Sequence, residues 1–276
     1  MNILIQNKLL RCFSILLLFS SYCLCADQMN RETFFKKHPL PIYQDIIIQG
    51  KVVSQGTDLC APRFELIRPI LELYNRDFKL LDLGSAQGYF SFRTAREYPH
   101  SFCVMVDANT TSYYAYVKHG DMLYDLCLLN SDLNNICYLN KALTLNDLSY
   151  LNQNEHFDII LGLLVVHLMY DNLASQAQVI DHLLSLGDNV ILEVANEVAV
   201  PLTQYVESLS TLIECEYLGE VKRHYDPKST STGKLFWFKR GHTLSRDSQN
   251  IQKEVLQYLN KVYPIDVQLN STYNSQ

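Results

Sequence analysis

Lys79-Leu80-Leu81-Asp82-Leu83-Gly84-Ser85-Ala86-Gln87-Gly88-Tyr89-Phe90 holds the plan of the chain in twelve residues. A short apolar run closes on an aspartate and a leucine. Two glycines and small residues follow, and the next segment has the composition of a helix. That is the order of a buried strand, a tight turn and a helix N-terminus, the ligand-cradling corner of an α/β sheet.

Working outward, the same strand-then-helix order repeats. The first strand is predicted over Phe78–Leu83, and its helix passes through Phe92, Ala95 and Arg96 to a stop at Pro99. Further apolar runs predict strands at Ser101–Asp107, Ile136–Leu139, Phe157–Leu163 and Asn189–Val194. Helical spacing appears at Ala174, Ala177, Ile180 and Leu183, and again at Leu202, Tyr205, Val206 and Leu209. Five strand–helix repeats imply parallel strands joined by right-handed crossovers. The pattern then changes. Glu214–Val221 and Lys234–Lys239, joined by a polar loop, predict an antiparallel ending to the sheet. Ahead of the first strand, Pro62 is placed to start a helix that Pro69 would kink or divide.

The expected organisation is a signal peptide or anchor over 1–26, an N-terminal wrap or lid over 27–61, the α/β domain over 62–243 and a tail over 244–276. The tail carries one helical stretch, Gln249–Tyr263, ended by Pro264. The first 26 residues join a positive start, Lys8 and Arg11, to an uncharged, largely apolar run and the small residues of Cys23-Leu24-Cys25-Ala26. This is the pattern of a secretory signal. It predicts a secreted or periplasmic protein, with delivery into a host cell as one destination. No later stretch is apolar and long enough to span a bilayer.

The whole chain of 276 residues carries a formal charge of -6, and losing Lys8 and Arg11 with the leader takes it to -8. An acidic body argues against a large nucleic-acid footprint, which needs a basic face. The cysteines beyond the leader, Cys60, Cys103, Cys127, Cys137 and Cys215, match no zinc spacing, so no metal is expected. Their odd count leaves at least one unpaired within the chain. Asn109-Thr110-Thr111 and Asn270-Ser271-Thr272 match the glycosylation acceptor pattern.

A ligand with a ribose needs close backbone approach at the first turn, which Gly84 and Gly88 permit. It also needs an acid at the end of the second strand, which Asp107 supplies 25 residues beyond Asp82. A dinucleotide is disfavoured: the charge of Asp82 would crowd a pyrophosphate, and Ala86 stands where the middle glycine belongs. A ligand carrying a cationic group suits Asp82 better.

With these residues in place, Asp82-Leu83-Gly84-Ser85-Ala86-Gln87-Gly88-Tyr89-Phe90-Ser91 resembles motif I of the class I S-adenosylmethionine-dependent methyltransferases. The resemblance covers roughly residues 62–240. It implies a Rossmann-like α/β fold: a seven-stranded, mostly parallel sheet with an antiparallel last strand and helices on both faces. It also implies S-adenosyl-L-methionine as cofactor. Carried over by motif, Asp82, Gly84, Ser85, Ala86 and Gly88, with Tyr89 and Phe90 beside them, would hold the methionine end. Asp107 and Ala108 would hold the ribose, Asn140 would border the adenine, and Leu163 would open the stretch to His167 that borders the methyl group.

Motif I is nearly silent about the acceptor. Ile160–His167, Leu192-Glu193, Arg63 and the turn before Lys234 are similar to small-molecule and glycan-modifying branches, implying an acceptor of that kind. His167 is the candidate base and Glu193 the group that orients the acceptor; a helix-starting histidine and a capping acid are the plain structural readings of both. Arg63 and Lys234 are candidate substrate contacts, and with Lys222, Arg223 and His224 they could form a cationic rim for a phosphate or carboxylate; a solvated loop is the plain reading of such a run. The ribosomal-RNA branch shares the Gly-Ser-Ala turn but places an aspartate directly after its fourth strand; the Gly162 found here puts that chemistry in doubt. A catalytically silent binding protein and an NAD-type oxidoreductase are the remaining alternatives.

Overall fold

The computed structural model describes residues 29–39, 42–108, 119–195, 199–224 and 230–239. The signal-like segment, both glycosylation patterns and the tail helix lie outside the described residues. The chain divides at Pro39. Before that point lies α1 (Arg31–Lys37), whose first turn is capped by the Asn30 side chain accepting from Thr33 N–H at 2.9 Å.

The second unit opens with a hairpin, β1 (Ile46–Ile48) and β2 (Lys51–Ser54). Its turn places Gln49 and Gly50 at φ of 50° and 77°, the left-handed pair that a two-residue hairpin demands. Next comes α2 (Cys60–Leu71). Pro62 falls in its first turn, where the missing N–H costs nothing. Pro69 falls in its last turn, so the helix is neither divided nor ended there but runs two residues further.

The main elements follow in strict alternation: β3 (Phe78–Leu83), α3 (Tyr89–Glu97), β4 (Ser101–Asp107), α4 (His119–Leu129), β5 (Ile136–Asn140), α5 (Leu145–Asn154) and β6 (Phe157–Leu163). After these come α6 (Val166–Met169), α7 (Leu173–Leu186), β7 (Gly187–Ala195), α8 (Val200–Ser210), β8 (Cys215–Lys222) and β9 (Thr232–Lys239). Seven strands make one sheet in the order β5-β4-β3-β6-β7-β9-β8. The first five are parallel, while β9 runs antiparallel to both β7 and β8. The predicted fold class is the observed one.

Central strands are apolar on both faces because both are covered. Leu81, Leu83, Ile160, Val190 and Leu192 pack with Ala177, Ile180 and Leu183 of α7 and Leu202, Tyr205 and Val206 of α8. With a period of two, Leu80 and Asp82 turn to the opposite face, where Asp82 meets Ser91 of α3. A carboxylate is thus placed where the sheet otherwise offers hydrocarbon.

Candidate functional site

Parallel pairing brings the C-terminal ends of the strands to one edge, where crevices form in such sheets. At its centre is the turn after β3. Gly84 and Gly88 have φ of 70° and 74°, and Ala86 between them is also left-handed at 50°. A Cβ on Gly84 would lie 2.4 Å from Val165 Cγ2, and one on Gly88 would lie 2.7 Å from Phe92 Cε2. Both positions therefore need glycine for space as well as for backbone angle.

The turn hangs from the end of β4. Gly84 N–H and Ser85 N–H both donate to Val106 O, and Ala86 N–H donates to Asp107 Oδ2 at 2.8 Å. Ser85 Oγ is buried without a hydrogen-bond partner. Asp82 is 2 % exposed and accepts from Ser91 Oγ–H at 2.7 Å. Burial pushes its carboxyl up to about 7, against the help of Ser91 and with the charge of Asp107 adding to the rise. Burial likewise pushes Asp107 up to about 6, offset in part by Ala86 N–H.

The other cofactor candidates fall into place along the edge. Asn140, exposed at the end of β5, is the register partner of Asp107, and half-buried Ala108 follows directly. Leu163 closes β6 opposite Glu193. Tyr89 and Phe90 differ in kind: their rings are buried against Phe64 with centroids 6.4 and 6.5 Å away. They support the start of α3 from behind.

The segment before α2 is stitched onto this turn. Gln44 N–H donates to Gln87 Oε1 at 2.7 Å, and Tyr89 N–H donates to Gln44 Oε1 at 3.2 Å. Both glutamines are buried, so each side chain replaces water at a backbone group.

A second cluster lies along the edge at the end of β7. Arg63, 1 % exposed, donates from Nη1 to Glu193 Oε2 at 3.2 Å and from Nη2 to Asp58 Oδ2. Burial alone would lower the Arg63 guanidinium; Glu193 and Asp58 more than reverse that and hold it charged. Burial raises Glu193, and Arg63 opposes the rise. Glu193 Oε1, Asp58 Oδ1 and Arg223 Nε are buried without hydrogen-bond partners. A Cβ on Gly233 would lie 2.0 Å from Glu193 Oε1, so that glycine makes room for the carboxylate. Burial, and then the charge of Asp58, push the Tyr43 hydroxyl upward. His167, in the short α6, is brought down to about 4 by burial and by Arg223.

The structure therefore joins Arg63 and Glu193, with His167 within electrostatic reach of the same Arg223. Lys234 turns aside to Glu207, with Nζ 2.7 Å from Oε1. Sequence reading missed Tyr43, Gln44 and Asp58, which carry no local motif. Among the described residues, no group of three or more His, Cys, Asp or Glu is placed to hold a metal ion, and all five cysteines are free thiols.

No protein-family model matches the chain, and no curated protein matches it. Solved structures do. The bifunctional kinase-methyltransferase WbdD is similar over 76 % of this chain and 46 % of its own, at 20 % identity and a TM-score of 0.55. The N-terminal domain of EvdMO1 with SAH bound is similar over 77 % of this chain and 97 % of its own, at 12 % identity and a TM-score of 0.51. The same domain in the presence of SAH and D-fucose gives 76 % and 96 %, at 11 % identity and a TM-score of 0.50. The fold is that of the class I S-adenosylmethionine-dependent methyltransferases. This chain spans about half the length of WbdD. The turn at Gly84–Gly88 and Asp107 stand at the C-terminal edge of the parallel strands, and the Arg63–Glu193 cluster stands at the end of β7 on the same edge.

Proposed function

We propose that the chain is a methyltransferase that uses S-adenosylmethionine to modify a small-molecule or glycan acceptor. The observation that carries this reading is the left-handed turn Gly84–Gly88, suspended from β4 with Ala86 N–H held by Asp107. Its residues fit the cofactor. Gly84 and Gly88 hold left-handed backbone packed against Val165 and Phe92 where no Cβ fits, which fixes the shape of the turn, and Ser85 Oγ is a buried hydroxyl without a hydrogen-bond partner. Gly84, Ser85, Ala86 and Gly88 would hold the methionine end, with Asp82 beneath them. Asp107 and Ala108 would hold the ribose, Asn140 would border the adenine and Leu163 the methyl. When bound, the cofactor supplies an electrophilic methyl carbon on a sulfonium.

The chain's own work is then positioning, which supplies much of the rate of such a transfer. Glu193, fixed by Arg63, orients the acceptor beside Leu163, and the remaining polar groups of that cluster face it. EvdMO1, solved with SAH and D-fucose, supports a sugar-like acceptor, and so does the acidic charge that disfavours nucleic acid. The depressed basicity of His167 favours one rival, a protein that binds the cofactor without turnover.

Calorimetry with S-adenosylhomocysteine and with NADH, beside a tritiated methyl-transfer panel, tests the reading. Micromolar S-adenosylhomocysteine binding that D82A abolishes is expected. Tight NADH binding without it would sink the proposal, and binding without transfer to any acceptor would favour the silent rival. Export, proposed from the Met1–Ala26 pattern, implies work where the cofactor is available, as in a host cell. A mature protein that retains Met1 would overturn cleavage.

A further inference from the structure

The strand end beyond β8 supplies a second histidine, His224, which the sequence offers only as part of a cationic rim. Both β7 and β8 are antiparallel to β9, so β8 ends on the same edge as Gly84, Leu163 and Glu193. There His224 and Asp58 form an isolated antiparallel bridge, and Leu59 N–H donates to Arg223 O at 2.6 Å. These backbone contacts bring His224 alongside Thr57 and Asp58. Its Nδ1 lies 3.4 Å from Thr57 O and 3.7 Å from Asp58 Oδ1.

A carbonyl and a carboxylate can only accept, so the ring proton belongs on Nδ1 and the Nε2 lone pair is left over. Asp58 is fully buried; Arg63 occupies Oδ2, and Oδ1 has no hydrogen-bond partner and lies nearest the imidazole. The His224 side chain keeps 24 % of its surface exposed. A partly open imidazole whose Nδ1 faces a backbone carbonyl at 3.4 Å, with a buried carboxylate 3.7 Å away, has the parts of a general base and its orienting groups.

We propose that His224 Nε2 is the proton acceptor for a hydroxyl of a sugar or polyol, with Asp58 and Thr57 as positioning residues. The proposal rests on the methyltransferase reading above and narrows it, because a carboxylate or thiolate acceptor would need no base. His167 is the poorer candidate, since burial, and then the charge of Arg223, bring it down to about 4 and leave it a weak proton acceptor. The step balances without another reagent. The hydroxyl oxygen bonds to the methyl carbon as the C–S bond breaks. The C–S pair stays on sulfur, which leaves as a neutral thioether. The O–H pair stays on oxygen, and the proton passes to Nε2 and then to water at the exposed ring edge. Arg223, adjacent in sequence, and Arg63, behind Asp58, are the nearby positive charges; Asp58 and Glu193 answer them, with the Tyr43 hydroxyl beside Asp58.

Long-range ¹H–¹⁵N correlation on the full, ¹⁵N-labelled chain tests the geometry without any acceptor. Wild-type His224 is expected as the Nδ1–H tautomer at pH 8, drifting toward Nε2–H in D58N. An Nε2–H ring in the wild type overturns the proposal. Tritiated transfer to a mixture of hexoses and deoxyhexoses tests the step, beside S-adenosylhomocysteine binding by calorimetry. H224Q is expected to lose a hundredfold or more in rate while its affinity for S-adenosylhomocysteine stays within twofold. An undiminished rate in H224Q overturns the base, and a wild type that binds S-adenosylhomocysteine yet methylates nothing in the mixture overturns the sugar hydroxyl. A wild type that does not bind S-adenosylhomocysteine fails the methyltransferase reading itself, which the tautomer measurement keeps distinct.

Discussion

At Asp82 the chain buries a carboxylate under the turn and satisfies it from Ser91, through the hydroxyl and the backbone of that one residue. Its folded pKa, raised from 3.8 to about 7, means that the folded state holds a proton that the unfolded state has released across that window. Stability is therefore highest below pH 4 on this account and falls as pH rises through 7. Asn keeps an acceptor for Ser91 and removes the charge. Thermal melts of the ligand-free protein should show D82N more stable than wild type by roughly 2–4 kcal/mol at pH 8, with the gap closing near pH 4. Gly84 gives the opposite kind of test. An alanine there meets Val165 at 2.4 Å in a left-handed backbone, so G84A should lose about 2–4 kcal/mol in denaturant titration. Gly84, Gly88 and Asp107 could be read from sequence because a short-range pattern demands them. Ala86 carries no comparable signal for its positive φ, and Arg63 reads as a substrate contact because no local motif announces that Asp58, five residues earlier, and Glu193, 130 residues later, take up its guanidinium.

The strands were the most legible elements. Runs buried on both faces are apolar throughout, and the bounds of β3, β4 and β6 match the apolar runs residue for residue. Helix ends rest on finer signals. The stretch from Asn140 to Glu155 shows only spaced leucines and much polarity, yet Thr144 and Asp147 close a reciprocal capping box that starts α5. Thr144→Ala should cost about 1 kcal/mol of stability, read in equilibrium unfolding. Between elements the strongest tie is Arg63, which couples α2 to β7 through Glu193. Removing it strands two buried carboxylates, so R63A should lose about 3–5 kcal/mol, far more than an R76A control at the exposed pair with Asp158.

For the molecule as a whole, a ligand that binds only the folded state stabilises it by mass action. S-adenosylhomocysteine at a hundred times its dissociation constant should add about 2.7 kcal/mol, and D107A should remove most of that gain in the same melts. The parallel strands and the antiparallel ending followed from the alternation of strands and helices and its break after β7. The attachment of residues 42–58 did not, because Gln44 finds Gln87 and Asp58 finds His224 only after the chain has folded back on itself. That last contact has a consequence for synthesis. Thr57 and His224 are 167 residues apart, and Arg63 and Glu193 are 130 apart. A nascent chain can complete β3 to β6 and the glycine turn while β8 is still unmade, because loop closure over such spans comes late. The glycine turn would then exist before the cluster of Asp58, Arg63, Glu193 and His224, so a chain arrested ahead of Lys222 would hold a half-built edge.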